Sequence, residues 1–208
     1  MVATQLSDPA AGRDAVRDAD VLAAMRAVPR HLFVPREYRR SAYDDTPLPI
    51  GHGQTISQPY IVALMTAHLR VGPDSRILEV GTGSGYQAAV LAHLTPHVYT
   101  IEIVEPLAKQ AAQTLRELGY TSVKCRRGDG YRGWPEAAPF DGIIVTCAAD
   151  DIPEPLWEQL RPGGRMVIPT GSGGFQQLVV VTKTPDGKRR TETITAVRFV
   201  PLARTRPQ

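Results

Sequence analysis

The chain has 208 residues, of which 42% are hydrophobic and 22% charged, with a formal net charge of +3. This excludes a disordered or fibrous chain and leaves room for one sizeable core, with about 40 to 50 residues over for an appendage. The basic residues are scattered, which gives nucleic-acid binding no support, and no apolar run approaches the roughly 18 residues of a membrane span.

The first nine residues lack the basic region and apolar core of a secretory signal. Cys125 and Cys147 read as reduced thiols, so the expectation is a cytoplasmic protein that does not bind a membrane. Residues 13–40 have helix-like spacing at Val16, Leu22, Met25, Leu32 and Phe33, interrupted by Pro29 and Pro35, which predicts an N-terminal helical cap. Residues 44–59 are rich in Pro, Gly and Thr and read as a structured loop, a common place for functional groups. Pro59 then starts a helix over 60–69, since its missing N–H costs nothing at the first helical position.

From Ser75 the pattern alternates. Apolar runs at 77–80, 98–101, 122–125, 142–145 and 165–168 are separated by helix-like stretches at 85–94, 106–118 and 153–160. Continuous apolar strands joined by helices imply an α/β, doubly wound and mainly parallel sheet covered on both faces. Gly171-Ser172-Gly173-Gly174 ends the alternation, and the Asp186-Gly187 turn between 177–182 and 191–200 predicts antiparallel C-terminal strands. The expected organisation is one compact unit: a cap and loop (1–74), a core (75–170) and C-terminal strands with a tail (171–208).

The turn Glu79-Val80-Gly81-Thr82-Gly83-Ser84-Gly85-Tyr86 after the first core strand, with Glu102 closing the second, carries the chemistry. Glycines let a cofactor approach the backbone, a helix N-terminus offers free N–H groups, and a carboxylate accepts from ribose hydroxyls. Tyr86 stands where a dinucleotide fingerprint needs a small residue, which weakens a nicotinamide-dependent oxidoreductase. The combination resembles the first motif of class I S-adenosylmethionine-dependent methyltransferases. In that resemblance Glu79 lies near the methionyl part, Glu102 binds the ribose, and Asp129 with Gly130 meets the adenine. Each acid also has a plain alternative: Asp129 as a turn or helix cap, Glu79 and Glu102 as solvated strand ends. The five histidines are dispersed without metal spacing, so no metal is expected, and His52 in the loop reads first as a packing residue.

Gly53-Gln54-Thr55-Ile56-Ser57-Gln58-Pro59-Tyr60, together with Gly128-Asp129-Gly130, Gly142-Ile143-Ile144-Val145-Thr146 and Val197-Arg198-Phe199-Val200-Pro201-Leu202, resembles the protein-L-isoaspartate O-methyltransferases over residues 20–203. The resemblance implies methyl transfer from S-adenosyl-L-methionine, leaving S-adenosyl-L-homocysteine, to the α-carboxylate of L-isoaspartyl residues in damaged proteins. The ester then recyclises to succinimide and partly reopens as normal aspartate. It assigns Gln54, Thr55, Ile56, Ser57, Glu79, Gly81, Thr82, Gly83, Gly85, Glu102, Ile103, Asp129, Gly130 and Thr146 to the cofactor, and Ser57 to the acceptor carboxylate. A helix cap is the other reading of Ser57. An acceptor already ionised at neutral pH needs positioning rather than a strong base.

Two departures from the family pattern stand out. Ala203 replaces a common Thr, which Gln208 could compensate, and Tyr60-Ile61-Val62 replaces a His-containing segment of eukaryotic relatives. The expected partners are isoaspartyl proteins and peptides, with no nucleic acid, and the chain is expected to be a monomer. A methyltransferase of the same family dedicated to one partner peptide would share the chemistry; a noncatalytic isoaspartyl-binding module is a further alternative, against which intact Ser57, Glu102 and Asp129 argue.

Overall fold

The computed structural model describes residues 1–8, 13–172 and 174–205. Gly173 and Gln208 lie outside the described residues. A wide helical turn, Val2–Ser7, buries Val2 and Leu6. It is followed by helix α1 (Ala19–Ala27), whose Asp18 cap accepts from the N–H groups of Asp20 and Val21 at 3.1 and 3.0 Å. Pro29 and Pro35 each precede a 3-10 turn, Arg30–Leu32 and Arg36–Ser41, so the cap is helical in short pieces, as its prolines dictate.

The segment expected to be a loop contains a hairpin, β1 (Leu48–Gly51) and β2 (Gln54–Ile56). Its two turn residues, His52 and Gly53, have φ of 53° and 70°, the paired positive values of a turn matched to strand twist. His52 is exposed at this tip rather than packed. Helix α2 (Pro59–Leu69) follows, with Pro59 in its first turn and Arg70 at φ 56° closing it.

The core strands are β3 (Ile77–Val80), β4 (Val98–Glu102), β5 (Lys124–Arg127), β6 (Phe140–Val145), β7 (Leu160–Thr170), β8 (Gln176–Lys183) and β9 (Arg189–Val197). They are interleaved with α3 (Tyr86–Ala92), α4 (Glu105–Glu117) and α5 (Glu154–Gln159). All seven join one sheet in the order β5-β4-β3-β6-β7-β8-β9. The pairs from β5 to β7 are parallel, whereas β8 and β9 add antiparallel. The run expected at 122–125 is displaced to 124–127, because β5 is an edge strand whose four residues, Lys-Cys-Arg-Arg, are all exposed. No helix among the described residues is long and apolar enough to cross a membrane.

Alternate side chains of β3, β6 and β7 serve opposite faces. Ile77, Ile144 and Val167 meet the N-terminal layer, α2 and α3, while Leu78, Ile143 and Met166 meet Phe140, Leu156 and Leu160. Tyr86, the first residue of α3, packs into the N-terminal layer. Its ring lies 5.6 Å from that of Phe33, the Arg30 guanidinium sits 4.8 Å above it, and its hydroxyl contacts the Met25 sulfur at 3.7 Å. Tyr86→Ala should destabilise the protein by about 3 to 5 kcal/mol and speed amide exchange in residues 19–42 more than in the parallel strands. Uniform exchange across both layers would show that Tyr86 does not join them.

Candidate active site

The strand order reverses between β3 and β6: successive strands run from β3 toward β5 on one side, and β6 returns on the other. Such a reversal leaves a crevice beyond the carboxyl ends of the strands. Thr146, just past β6, closes its floor, its hydroxyl donating to the Gly81 and Val80 carbonyls at 2.6 and 3.0 Å. Gly81 has φ of 95°, and a Cβ there would collide with the Thr146 hydroxyl. Both backbone and space require glycine.

The two glutamates of the crevice differ sharply. Glu102 is 6% exposed, and the N–H groups of Gly83 and Val104 donate to its two oxygens at 2.8 and 2.9 Å. Its carboxylate is held in one plane with lone pairs left for a further donor pair. Glu79 is 0% exposed. One of its oxygens accepts from the Thr100 hydroxyl at 2.6 Å, which lies 2.5 Å from the Thr82 hydroxyl, and the other oxygen has no partner among the described residues. Burial pushes the Glu79 carboxyl up to about 8, and the Thr100 hydrogen bond offsets only part of this. Cys147 nearby is likewise pushed up to about 12 by burial, and packs as a small apolar side chain.

Two slots open from the crevice. The first, lined by Gln54, Gly81, Gly83, Glu102, Ile103 and Gly130, is roofed by Val200–Ala203. That roof is fixed by a two-way bridge, Ala148 N–H to the Val200 carbonyl at 2.8 Å and Leu202 N–H to the Ala148 carbonyl at 2.7 Å. The second slot is lined by Ile56, Ser57, Glu79, Thr82 and Tyr86, among others. Gly85 lies outside both: it starts α3 and faces Leu115 and Ala111 of α4. Asp129 also lines neither slot. Its side chain caps the 3-10 turn Gly130–Arg132 by accepting from Tyr131 N–H at 3.0 Å, and takes the Thr205 hydroxyl at 2.9 Å. A tail hydroxyl therefore does reach this side of the crevice despite Ala203, from two residues further on.

A cleft of about 580 Å³ adjoins the slots. Thr55 and Thr146 line the cleft and both slots, and Ser57 lines the cleft and the second slot. Ser57 is not the cap of α2, which is Gln58, and its hydroxyl has no partner among the described residues. Its carbonyl is held by Arg30, a residue the motifs do not mark. Arg30 is 0% exposed and donates to the Ala42 and Ser57 carbonyls, both at 2.7 Å. Burial lowers its pKa to about 10, which leaves it charged at neutral pH. Arg198 and Arg13 stand on the cleft wall; Arg13 pairs with Asp45 and lies 4.9 Å over the Tyr60 ring. Asp45 in turn accepts from Tyr60 N–H at 2.9 Å, fixing the first turn of α2. Arg198 belongs to the Val197–Leu202 segment that carries the family resemblance, whereas Arg13 and Arg30 sit in no sequence pattern that separates them from ordinary surface residues.

The family described as Protein-L-isoaspartate(D-aspartate) O-methyltransferase (PCMT) matches residues 5–206. A protein-L-isoaspartate O-methyltransferase of Opitutus terrae is 62% identical over 192 residues, 92% of this chain and 82% of the relative. One of Gloeobacter violaceus is 58% identical over 189 residues, 90% of this chain and 92% of the relative. The fold superposes, with a TM-score of 0.80 and 28% identity, on a Plasmodium falciparum crystal structure described as such an enzyme in complex with S-adenosyl-L-homocysteine, covering 91% of this chain and 92% of that one.

The buried carboxyl makes stability depend on pH in a set direction. Between the ordinary glutamate value of 4.5 and about 8, the unfolded chain loses a proton that native Glu79 retains. Stability therefore falls across that window as pH rises, and levels off above it. Glu79→Gln removes the charge, and should stabilise the protein at pH 9 by about 2 to 4 kcal/mol more than it does at pH 5. Urea denaturation at the two pH values measures the difference, and an equal effect at both would place the carboxyl in a solvated setting.

Proposed function

Since this chain belongs to the protein-L-isoaspartate(D-aspartate) O-methyltransferase family, we infer that it methylates the α-carboxylate of L-isoaspartyl residues in proteins, using S-adenosylmethionine. The cofactor's sulfonium supplies an electrophilic methyl group. The residues present fit such a cofactor: the free Glu79 oxygen offers an acceptor to a cationic amino group, and the Glu102 carboxylate offers its remaining lone pairs to a diol. Gln54, Gly81, Gly83, Ile103 and Gly130 would hold the nucleoside. Ile56, Thr82 and Glu79 would hold the methionyl end. Asp129 would exchange its Thr205 contact for the adenine amino group.

The protein's own task is orientation. The acceptor carboxylate is ionised at neutral pH, so no base has to remove a proton from it. Ser57 donates its hydroxyl to that carboxylate and fixes which oxygen faces the slot. Arg30 holds the Ser57 backbone, and Arg198 adds positive charge to the wall of a cleft that receives an anion. The observation that carries this reading is that Ser57, with an unengaged hydroxyl, lines both the cleft and the slot containing Glu79. The unbridged Cys125 and Cys147 support action in the cytoplasm.

Labelled methyl transfer to matched isoaspartyl and aspartyl peptides of several unrelated sequences tests the activity. All the isoaspartyl peptides should be methylated and none of the aspartyl ones. Methylation of a single sequence would overturn general repair. Ser57→Ala should lower turnover about tenfold or more, the scale of a lost charged hydrogen bond, with S-adenosylhomocysteine affinity within twofold; full turnover would remove Ser57 from the acceptor. Glu102→Ala should weaken S-adenosylhomocysteine binding by about 1.5 to 3 kcal/mol, and unchanged affinity would take Glu102 out of the ribose contact.

A further inference from the structure

At the opposite end of the sheet from the glycine turn, one cross-strand row runs Ile77, Gly142, Arg165, Thr182, Arg190 over five neighbouring strands. Paired residues in a sheet share a face, so Arg165 and Arg190 flank Thr182 on the face that α2 covers further along. Helix α2 ends at Leu69, and beyond it the covering stops. The row becomes the floor of a recess of about 530 Å³, with Leu69 and Arg70 among its lining residues.

The charge in this recess is lopsided. Of its cations, Arg161 is paired with Asp141 at 2.6 Å, and the Lys183 ammonium donates to the Trp157 and Leu160 carbonyls at 3.0 and 2.9 Å. Arg70, Arg165 and Arg190 have no ion pair among the described residues, although Glu192 also lines the recess. The Nε–H of Arg165 is buried without an acceptor among the described residues. A buried N–H left open is costly to keep, and three arginines lining one recess supply the planar donor forks that match tetrahedral oxyanions.

We propose that Arg70, Arg165 and Arg190, with the Thr182 hydroxyl, form a binding site for a phosphate-bearing anion, separate from the methyl-transfer site and independent of how that site is read. The recess lies within the size range of small-molecule pockets, which admits a nucleoside polyphosphate as well as a phosphorylated side chain; the bound group is the phosphate in either case. The α2 carboxyl end points partial negative charge toward this region. This favours arginine near it and accounts for Arg70 alone, but not for Arg165 and Arg190, which stand on the strands.

Calorimetric titration of the full chain at constant ionic strength tests the site with three probes: inorganic tripolyphosphate, ATP and a phosphoserine peptide. At least one should bind saturably, and the comparison identifies the source of the phosphate. Arg70→Gln and Arg190→Gln, both exposed positions that leave the core intact, should each weaken that binding at least fivefold. Arg36→Gln, which removes the same charge elsewhere, should leave it within a factor of 1.5, by the salt-screening behaviour of distant charges. Absence of saturable binding by all three probes, or an equal loss in Arg36→Gln, overturns the proposal.

Discussion

A buried carboxyl group with one open oxygen is the constraint around which this site is built. Glu79 sits on β3, between Leu78 and Val80, with a single hydroxyl hydrogen bond and one open oxygen. Hydrophobic packing alone would select an apolar residue there, since burying a carboxyl with an open acceptor opposes folding. The neighbouring Glu102 has the reverse arrangement: two backbone N–H groups fix both of its oxygens before any ligand arrives. One acid is thus held ready by hydrogen bonds, and burial raises the pKa of the other to about 8. The Thr82–Thr100–Glu79 chain links the glycine turn to this second acid, so its position is tied to the turn that would receive a cofactor.

The Ser57 side of the crevice is organised from a different part of the chain. Arg30 spans the N-terminal layer and the loop after β2 by donating to one carbonyl in each, while its guanidinium stacks on Tyr86 at the start of α3. The position of the Ser57 backbone therefore depends on three segments meeting at one buried cation. Removing such a cation leaves the buried Ala42 carbonyl and the part-buried Ser57 carbonyl without their donor, a loss larger than that of an exposed ion pair. The Arg13–Asp45 contact secures the same loop from its exposed side, through the first turn of α2.

Much of this architecture is legible in the residues. The apolar runs locate β3, β4, β6 and β7, because central parallel strands are buried on both faces and have no polar side to disguise them. The Asp186-Gly187 turn marks the β8–β9 hairpin for an equally local reason. What escapes is what depends on register or on distant partners. β5 is misplaced because an exposed edge strand carries no apolar run, and β1–β2 reads as a loop because Pro47, Pro49 and the glycines mask three or four paired residues. Gly85 belongs to the motif by spacing but packs on α4, and Asp129 is engaged by Thr205, 76 positions away. Arg30 and the Arg165–Thr182–Arg190 row cannot be seen at all without knowing which strands are adjacent.

The central claim is that Glu79, neutral when buried alone, ionises when a cationic methionine group takes its open oxygen. Titration of S-adenosylhomocysteine at pH 7, repeated in buffers of different ionisation enthalpy, counts the protons exchanged on binding. The account requires release approaching one proton at pH 7, and none in Glu79→Gln. Binding without proton release at pH 7, or release that persists in Glu79→Gln, would contradict it.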